Sequence, residues 1–241
     1  MPDQLEHSHD ADAIAQRLAK GPKPNYLPDA VYGAIDGTVT TFAVVSGAIG
    51  ADLSSRVVLI LGIANLLADG FSMAAGNFTA TKSAADMVER LREQELRHIQ
   101  LDKEGETREV REIYRAKGFA GEPLETLTRL MTSRRDVWVD LMLAEEYGIS
   151  AASRSAIRAA GMTFLAFALA GLVPLAPFLL GIPQAPLVAV GLTAFVFAAI
   201  GSFRSRWSAR SWRSCGVETL AIGMTAALVA YGVGALIAQV V

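Results

Sequence analysis

Between Arg158 and Arg204 the chain runs for 45 positions without a single Asp, Glu, Lys or Arg. One bilayer crossing needs only about 20 apolar residues, so this stretch is long enough for two. Gly181-Ile182-Pro183-Gln184-Ala185-Pro186 divides it, a tight turn by its glycine and proline content. Further apolar stretches cover 30–50, entered past Pro22, Pro24 and Pro28, then 57–79, and finally 217–241. Five membrane-spanning helices follow, in keeping with a mean hydropathy of +0.34.

Charge is segregated rather than scarce. The 22 Lys and Arg against 24 Asp and Glu leave a formal charge of −2, and most of these residues lie in 82–158. Such a chain is neither disordered nor built to bind nucleic acid. Cys215 stands alone, which excludes a disulfide framework and multi-cysteine metal sites; it reads as a small apolar residue. Residues 1–24 are polar, carry His7 and His9, lack the apolar stretch of a signal peptide, and read as a solvated tail.

The predicted fold class is all-α: a polytopic membrane protein with five transmembrane helices and a three-helix cytoplasmic insert between spans two and three. By residue number, a tail covers 1–27, spans one and two 28–81, the insert 82–152, and spans three to five 153–241. Lys20 and Lys23 precede span one, and Arg204, Arg206, Arg210 and Arg213 fill the loop between spans four and five. Basic residues stay on the cytoplasmic side, which places the N-terminus, insert and arginine loop there and the C-terminus opposite. Within the insert, Glu, Arg, Lys, Leu and Ala favour helix throughout. Span two is expected to continue unbroken into a first insert helix over 83–100. A second is expected over 103–117, and a third over 123–147, opening at Pro123 and closing at Gly148.

Carboxylates inside spans are costly, so each is a functional candidate. Span one carries Asp36, within Asp36-Gly37-Thr38-Val39-Thr40-Thr41. Span two carries Asp69, sharing a helical face with Asn65, Met73 and Asn77 at four-residue steps. Oxygen and thioether donors in one stripe suit a borderline divalent cation such as Fe²⁺ or Mn²⁺. Gly33, Gly37 and Gly47 in span one, with Gly70 and Gly76 in span two, allow close backbone approach. Glu218 is expected to reach the lipid surface or pair with Arg213.

The insert holds a second constellation. Glu106, Glu109 and Glu112 recur at three-residue steps on its second helix; Glu93, Glu95 and His98 lie on the first, and Met142, Glu145 and Glu146 on the third. Carboxylates from three helices with one soft sulfur follow the logic of metal clusters in helical bundles. Arg108, Arg111 and Arg115 interleave with these acids, however, and such alternation ordinarily marks a solvated face. Spacing alone favours the solvated face. No nucleophile–base pair or phosphate loop argues for an enzyme.

Three segments together resemble the vacuolar iron transporter family: Asp36-Gly37-Thr38-Val39-Thr40-Thr41; Asn65 through Ser72-Met73-Ala74-Ala75-Gly76 into Thr81-Lys82-Ser83-Ala84; and Trp138-Val139-Asp140-Leu141-Met142 with Glu145-Glu146. The resemblance runs from about Leu27 to the C-terminus. It implies a five-span subunit that forms a homodimer, with span two extending into a three-helix metal-binding domain. It also implies proton-coupled export of Fe²⁺ or Mn²⁺ from the cytosol, Zn²⁺ or Co²⁺ being further possibilities, with no prosthetic group. For a bacterial-type member the destination is the far side of the cell membrane. Carried over by motif, the ligands are Asp36 and Met73 in the spans. In the insert they are Glu106, Glu109 and Glu112, then Met142 and Glu146, with Glu93 or Glu95 from the first helix. The chain departs from the plant-type pattern at Leu143, where a second methionine is usual, and at Asn65, where a carboxylate is usual and Asp69 one turn on takes its place. A membrane-anchored metal sensor or partner-binding protein without transport is the rival reading.

Overall fold

The computed structural model describes residues 8–21, 24–149 and 154–240. His7, Pro22, Lys23 and the expected boundary at 152/153 lie outside them. Every regular element among the described residues is helical: α1 (Ala11–Lys20), α2 (Leu27–Gly50), α3 (Ser55–Leu101), α4 (Lys103–Ala116), α5 (Gly121–Thr132), α6 (Arg135–Glu145), α7 (Ala156–Leu179), α8 (Ala185–Arg204) and α9 (Trp212–Ile237), with a 3₁₀ turn at Ser205–Trp207. Five of these, α2, α3, α7, α8 and α9, are long and apolar enough to cross a membrane. The tail read as solvated contains α1, whose Leu18 is exposed.

The chain divides into two compact units, one of 25–80 with 155–241 and one of 1–24 with 81–154. In the apolar unit α2 packs against α7, α8 and α9. Phe42, Val45, Val58, Leu66, Phe167, Leu175, Phe178 and Phe197 form its core. Lipid is as apolar as leucine, so helices in a bilayer associate through close van der Waals fit rather than exclusion of water. Gly37 supplies that fit: a Cβ there would lie 2.3 Å from the Phe167 carbonyl oxygen on α7. Gly33, one turn earlier, meets the Thr163 carbonyl in the same way. Gly76, expected to serve such an approach, faces open space. Pro174 and Pro177 lie within α7 without ending it, as prolines in membrane helices do where neighbours re-satisfy the freed carbonyls. Ile60, Leu61, Ile63, Leu67 and Phe71 on α3, and Val217, Ile222, Leu228, Val229 and Leu236 on α9, are exposed, an outer face suited to lipid.

Helix α3 is a single 47-residue element, as the absence of proline and of any breaker near Thr81-Lys82 predicts. In the polar unit Asp102 ends the run and caps α4, its side chain accepting from the Gly105 amide at 2.8 Å. The helix expected over 123–147 is instead two, α5 and α6, separated at Ser133-Arg134. Neither glycine nor proline causes the break. The Ser133 hydroxyl donates to the Leu130 carbonyl at 2.6 Å and the Thr132 hydroxyl to that of Thr128 at 2.8 Å, while Arg134 is extended. The Ser133 hydroxyl satisfies a carbonyl of the last turn of α5, in competition with helix continuation. The new direction of α6 buries Trp138, Val139, Met142 and Leu143, and Trp138 and Met142 join Val110 of α4 in a small core.

Candidate metal sites

Helix α3 presents Asn65, Asp69, Met73 and Asn77 half-buried, whereas Ala64, Leu67, Ala68, Phe71 and Ser72 between them are exposed. The four-residue stripe thus borders the inward face of that helix, whose buried positions within the span are Val58, Gly62, Leu66 and Gly70. Asp36 on α2 is half-buried too. Met73 packs against the apolar core. The Nδ2 of Asn65 and the Oγ1 of Thr41 are buried and meet no partner. Asn77 plays a different part. Its Nδ2 donates to Asp29 Oδ1 at 2.9 Å and to Thr163 Oγ1 at 2.7 Å, tying α3 to α2 and α7. Asp29, 7% exposed, escaped the sequence reading because an acid in the first turn of a helix ordinarily answers the helix dipole. Glu218 pairs not with Arg213 but with Arg204 at 3.0 Å and Arg210 at 2.7 Å; Arg213 stacks on Trp212. Cys215 is buried.

In the polar unit the arginines interleaved with the acids pair away from Glu95, Glu106, Glu109 and Glu146. Arg111 makes a two-pronged bond to Glu125 of α5 at 2.9 and 3.0 Å. Arg115 pairs with Glu112 on its own helix, Arg108 lies 3.9 Å from Asp102, and Lys117 takes Glu145 at 2.7 Å. Among the described residues no lysine or arginine pairs with Glu95, Glu106, Glu109 or Glu146.

These four acids come together. Glu95 is 1% exposed and Glu106 6%, and the Oε2 of each is buried without a hydrogen-bond donor. His98 stands beside both, with one ligand atom from each of the three residues within 4.8 Å of the others. Glu109, Glu112, Met142 and Glu146 line an adjoining open cavity of about 490 Å³ with Asp102, Gly105, Arg108 and Ile113. Glu93, by contrast, is exposed and outside the cluster. Of the two first-helix acids, Glu95 is the one turned inward. Burial, followed by the charges of Glu109, Glu95 and Glu146, pushes the Glu106 carboxyl up to about 7. Glu146 is raised as well, by partial burial and then by Glu95 and Glu109, with Tyr147 and His98 opposing.

Spacing could not have found Tyr147, which lies 52 residues from its partner. Its hydroxyl donates to Glu95 Oε1 at 2.9 Å and receives a bond from Gln94 Nε2 at 3.3 Å, so one oxygen of Glu95 is held while the other is left open. A buried carboxylate oxygen without a donor ordinarily costs about 1–3 kcal/mol or more. Two in one place, beside His98 and with no lysine or arginine paired to them among the described residues, form a site that a cation would complete.

Fold and site together define an integral membrane protein of five spans with an acidic cluster of metal-ligand chemistry. Residues 27–235 match the sequence model of the VIT family. The chain is 32% identical over 229 residues to a protein named vacuolar iron transporter from Toxoplasma gondii, covering 90% of this chain and 76% of that one. It is 30% identical to vacuolar iron transporter 1 of Oryza sativa subsp. japonica, covering 85% and 82%. A vacuolar iron transporter of Plasmodium falciparum is 26% identical, covering 86% and 81%. The chain belongs to the VIT family, whose members are transport proteins rather than enzymes, and these relatives support a metal transporter.

Proposed function

We propose that this protein carries Fe²⁺ or Mn²⁺ out of the cytosol in exchange for protons, as a homodimer in the lipid bilayer. Glu95, Glu106, Glu109, Met142 and Glu146, with Glu112 at the cavity edge, capture the ion and raise its local concentration. Asp36, Asp69 and Met73, beside Asn65, then take the dehydrated ion through the membrane. Protonation of a carboxylate on the far side releases it, because a protonated acid is a poor ligand. The basic residues of the 204–213 loop support a cytosolic location for N-terminus and insert, with the C-terminus opposite. The names of the relatives supply iron.

The observation that carries this reading is the pair of buried, donorless oxygens on Glu95 and Glu106, with which no lysine or arginine pairs among the described residues. A membrane anchor for a sensor has no use for the Asp36–Asp69 face within its spans. Initial flux into proteoliposomes, measured against metal concentration with and without a proton gradient, tests the proposal. Replacing Glu106, Glu109 and Glu112 together by alanine is expected to raise the half-saturation and lower the maximum. Wild-type vesicles that pass neither metal under any gradient defeat it.

A further inference from the structure

His98 is the neighbour of this cluster that the capture reading leaves without a role. It lies one turn beyond Glu95 on α3, half-exposed, with its Nδ1 3.4 Å from Glu106 Oε1 and 3.8 Å from Glu95 Oε1. An imidazolium serving only to neutralise the two acids would close to the roughly 2.7–2.9 Å of a charge-assisted hydrogen bond. The ring stands off from both instead. Meanwhile Glu95 Oε2 and Glu106 Oε2, on carboxylates more than nine-tenths buried, meet no donor. The arrangement leaves room between nitrogen and oxygens. A first-row divalent ion binds nitrogen and oxygen at about 2.0–2.2 Å, so its ligand atoms sit about 3–4.4 Å apart. The atoms of Glu95, His98 and Glu106, all within 4.8 Å of one another, reach that spacing with about half an ångström of adjustment.

Donor chemistry then gives the site a preference. Carboxylates alone accept Mg²⁺, Ca²⁺ and Mn²⁺, whereas imidazole nitrogen suits Fe²⁺, Co²⁺ and Zn²⁺, later in the order of increasing complex stability. Met142, buried at the cavity wall, adds a soft surface on the same side of the balance. We propose that His98 is the nitrogen ligand of the insert site and biases it towards Fe²⁺, Co²⁺ and Zn²⁺ over Mn²⁺. This rests on the capture reading above.

The test uses full-length protein in detergent, titrated separately with Co²⁺ and Mn²⁺ at fixed pH. Wild type is compared with His98→Gln, His98→Glu and, to define the cluster's share of the binding, Glu106→Gln. His98→Gln is expected to weaken Co²⁺ at least about tenfold and Mn²⁺ less than about threefold, and to change the visible absorption of bound Co²⁺ as a nitrogen donor is lost. His98→Glu is expected to keep Mn²⁺ binding while lowering the Co²⁺/Mn²⁺ ratio. Because the ring is half-exposed, these variants should retain the helical circular dichroism of the wild type. An unchanged ratio and Co²⁺ spectrum in His98→Gln overturn the role of His98 while leaving capture intact. Wild-type binding from which Glu106→Gln subtracts nothing overturns the capture reading and this inference with it.

Discussion

The proposed capture of metal by the acidic cluster requires that protons and metal compete for the same oxygens, and the structure sets how steeply. Glu106 must be ionised to bind a cation, yet burial and the surrounding carboxylates raise its carboxyl to about 7. For one such group the apparent metal affinity falls by the factor one plus ten to the power of seven minus pH. Between pH 8 and pH 5.5 that amounts to about 30-fold from Glu106 alone. A carboxyl on a solvated helix face, titrating near its ordinary 4.5, would cost about 1.1-fold over the same range. Glu146, raised in the same direction, steepens the fall. The assay is anaerobic Fe²⁺ or Co²⁺ titration of the full-length protein by calorimetry at half-unit steps of pH, with the binding that survives in Glu106→Gln subtracted. A change of less than about threefold across the range would refute the argument that these acids are buried together, and would return Glu106, Glu109 and Glu112 to the solvated face that their spacing suggests.

The metal-free protein should respond to pH with the opposite sign. A carboxyl raised in the fold contributes stability below its unfolded value near 4.5, and that contribution is lost as pH rises through about 7. The melting temperature without metal should therefore be higher at pH 5.5 than at pH 7.5, and saturating metal at pH 7.5 should reverse the order. Glu106→Gln, by removing a buried charge that its neighbours repel, is expected to stabilise the metal-free protein by about 1 kcal/mol while weakening metal binding, read by thermal melts of the same preparation. In the apolar unit, Gly37→Ala sets a methyl 2.3 Å from the Phe167 carbonyl and should cost about 1–3 kcal/mol in a detergent-unfolding assay; a neutral result would mean that α2 and α7 do not touch there. Asp36→Ala should insert and fold yet pass neither Fe²⁺ nor Mn²⁺ in vesicles, and Asp36→Glu should retain part of the flux.

Span number and the unbroken length of α3 were legible because both depend on strong, summed signals. The 45 uncharged positions before Arg204 admit no soluble alternative, and the divider at 181–186 holds a left-handed residue at Gly181 and another at Gln184. The break between α5 and α6 was not legible. Thr132, Ser133 and Arg134 are all tolerated in helices, and it is the extended backbone of Arg134, after the Ser133 hydroxyl has bonded the Leu130 carbonyl, that shows the chain turns there. Local composition sees residue types and not the tertiary packing that α6 completes by joining Trp138 and Met142 to Val110.

The acidic cluster shows the same limit from the other side. Glu106, Glu109 and Glu112 at three-residue steps with arginines between them describe equally well a solvated helix and a metal site, since both need acids on one face. What separates the two is where the arginines go, and that is decided by contacts 14 residues away at Glu125 for Arg111 and 28 residues away at Glu145 for Lys117. Once those cations are engaged, Glu95 and Glu106 are buried with oxygens that nothing donates to, an arrangement that is unfavourable for the empty protein. The cost is informative. A chain under selection for stability alone would replace such acids with apolar residues of similar volume, often at no loss. Their presence beside His98, with Tyr147 holding one oxygen of Glu95 in place, is what the capture reading proposed above requires: a site that is unfavourable while empty and is completed by a cation. The same reasoning explains why the cluster is half open. On the proposed reading the ion passes in and out through the cavity lined by Glu109, Glu112 and Glu146, so narrowing it by Arg108→Trp, at an exposed lining position, should slow metal exchange more than it changes equilibrium affinity, as read by stopped-flow release to a chelator.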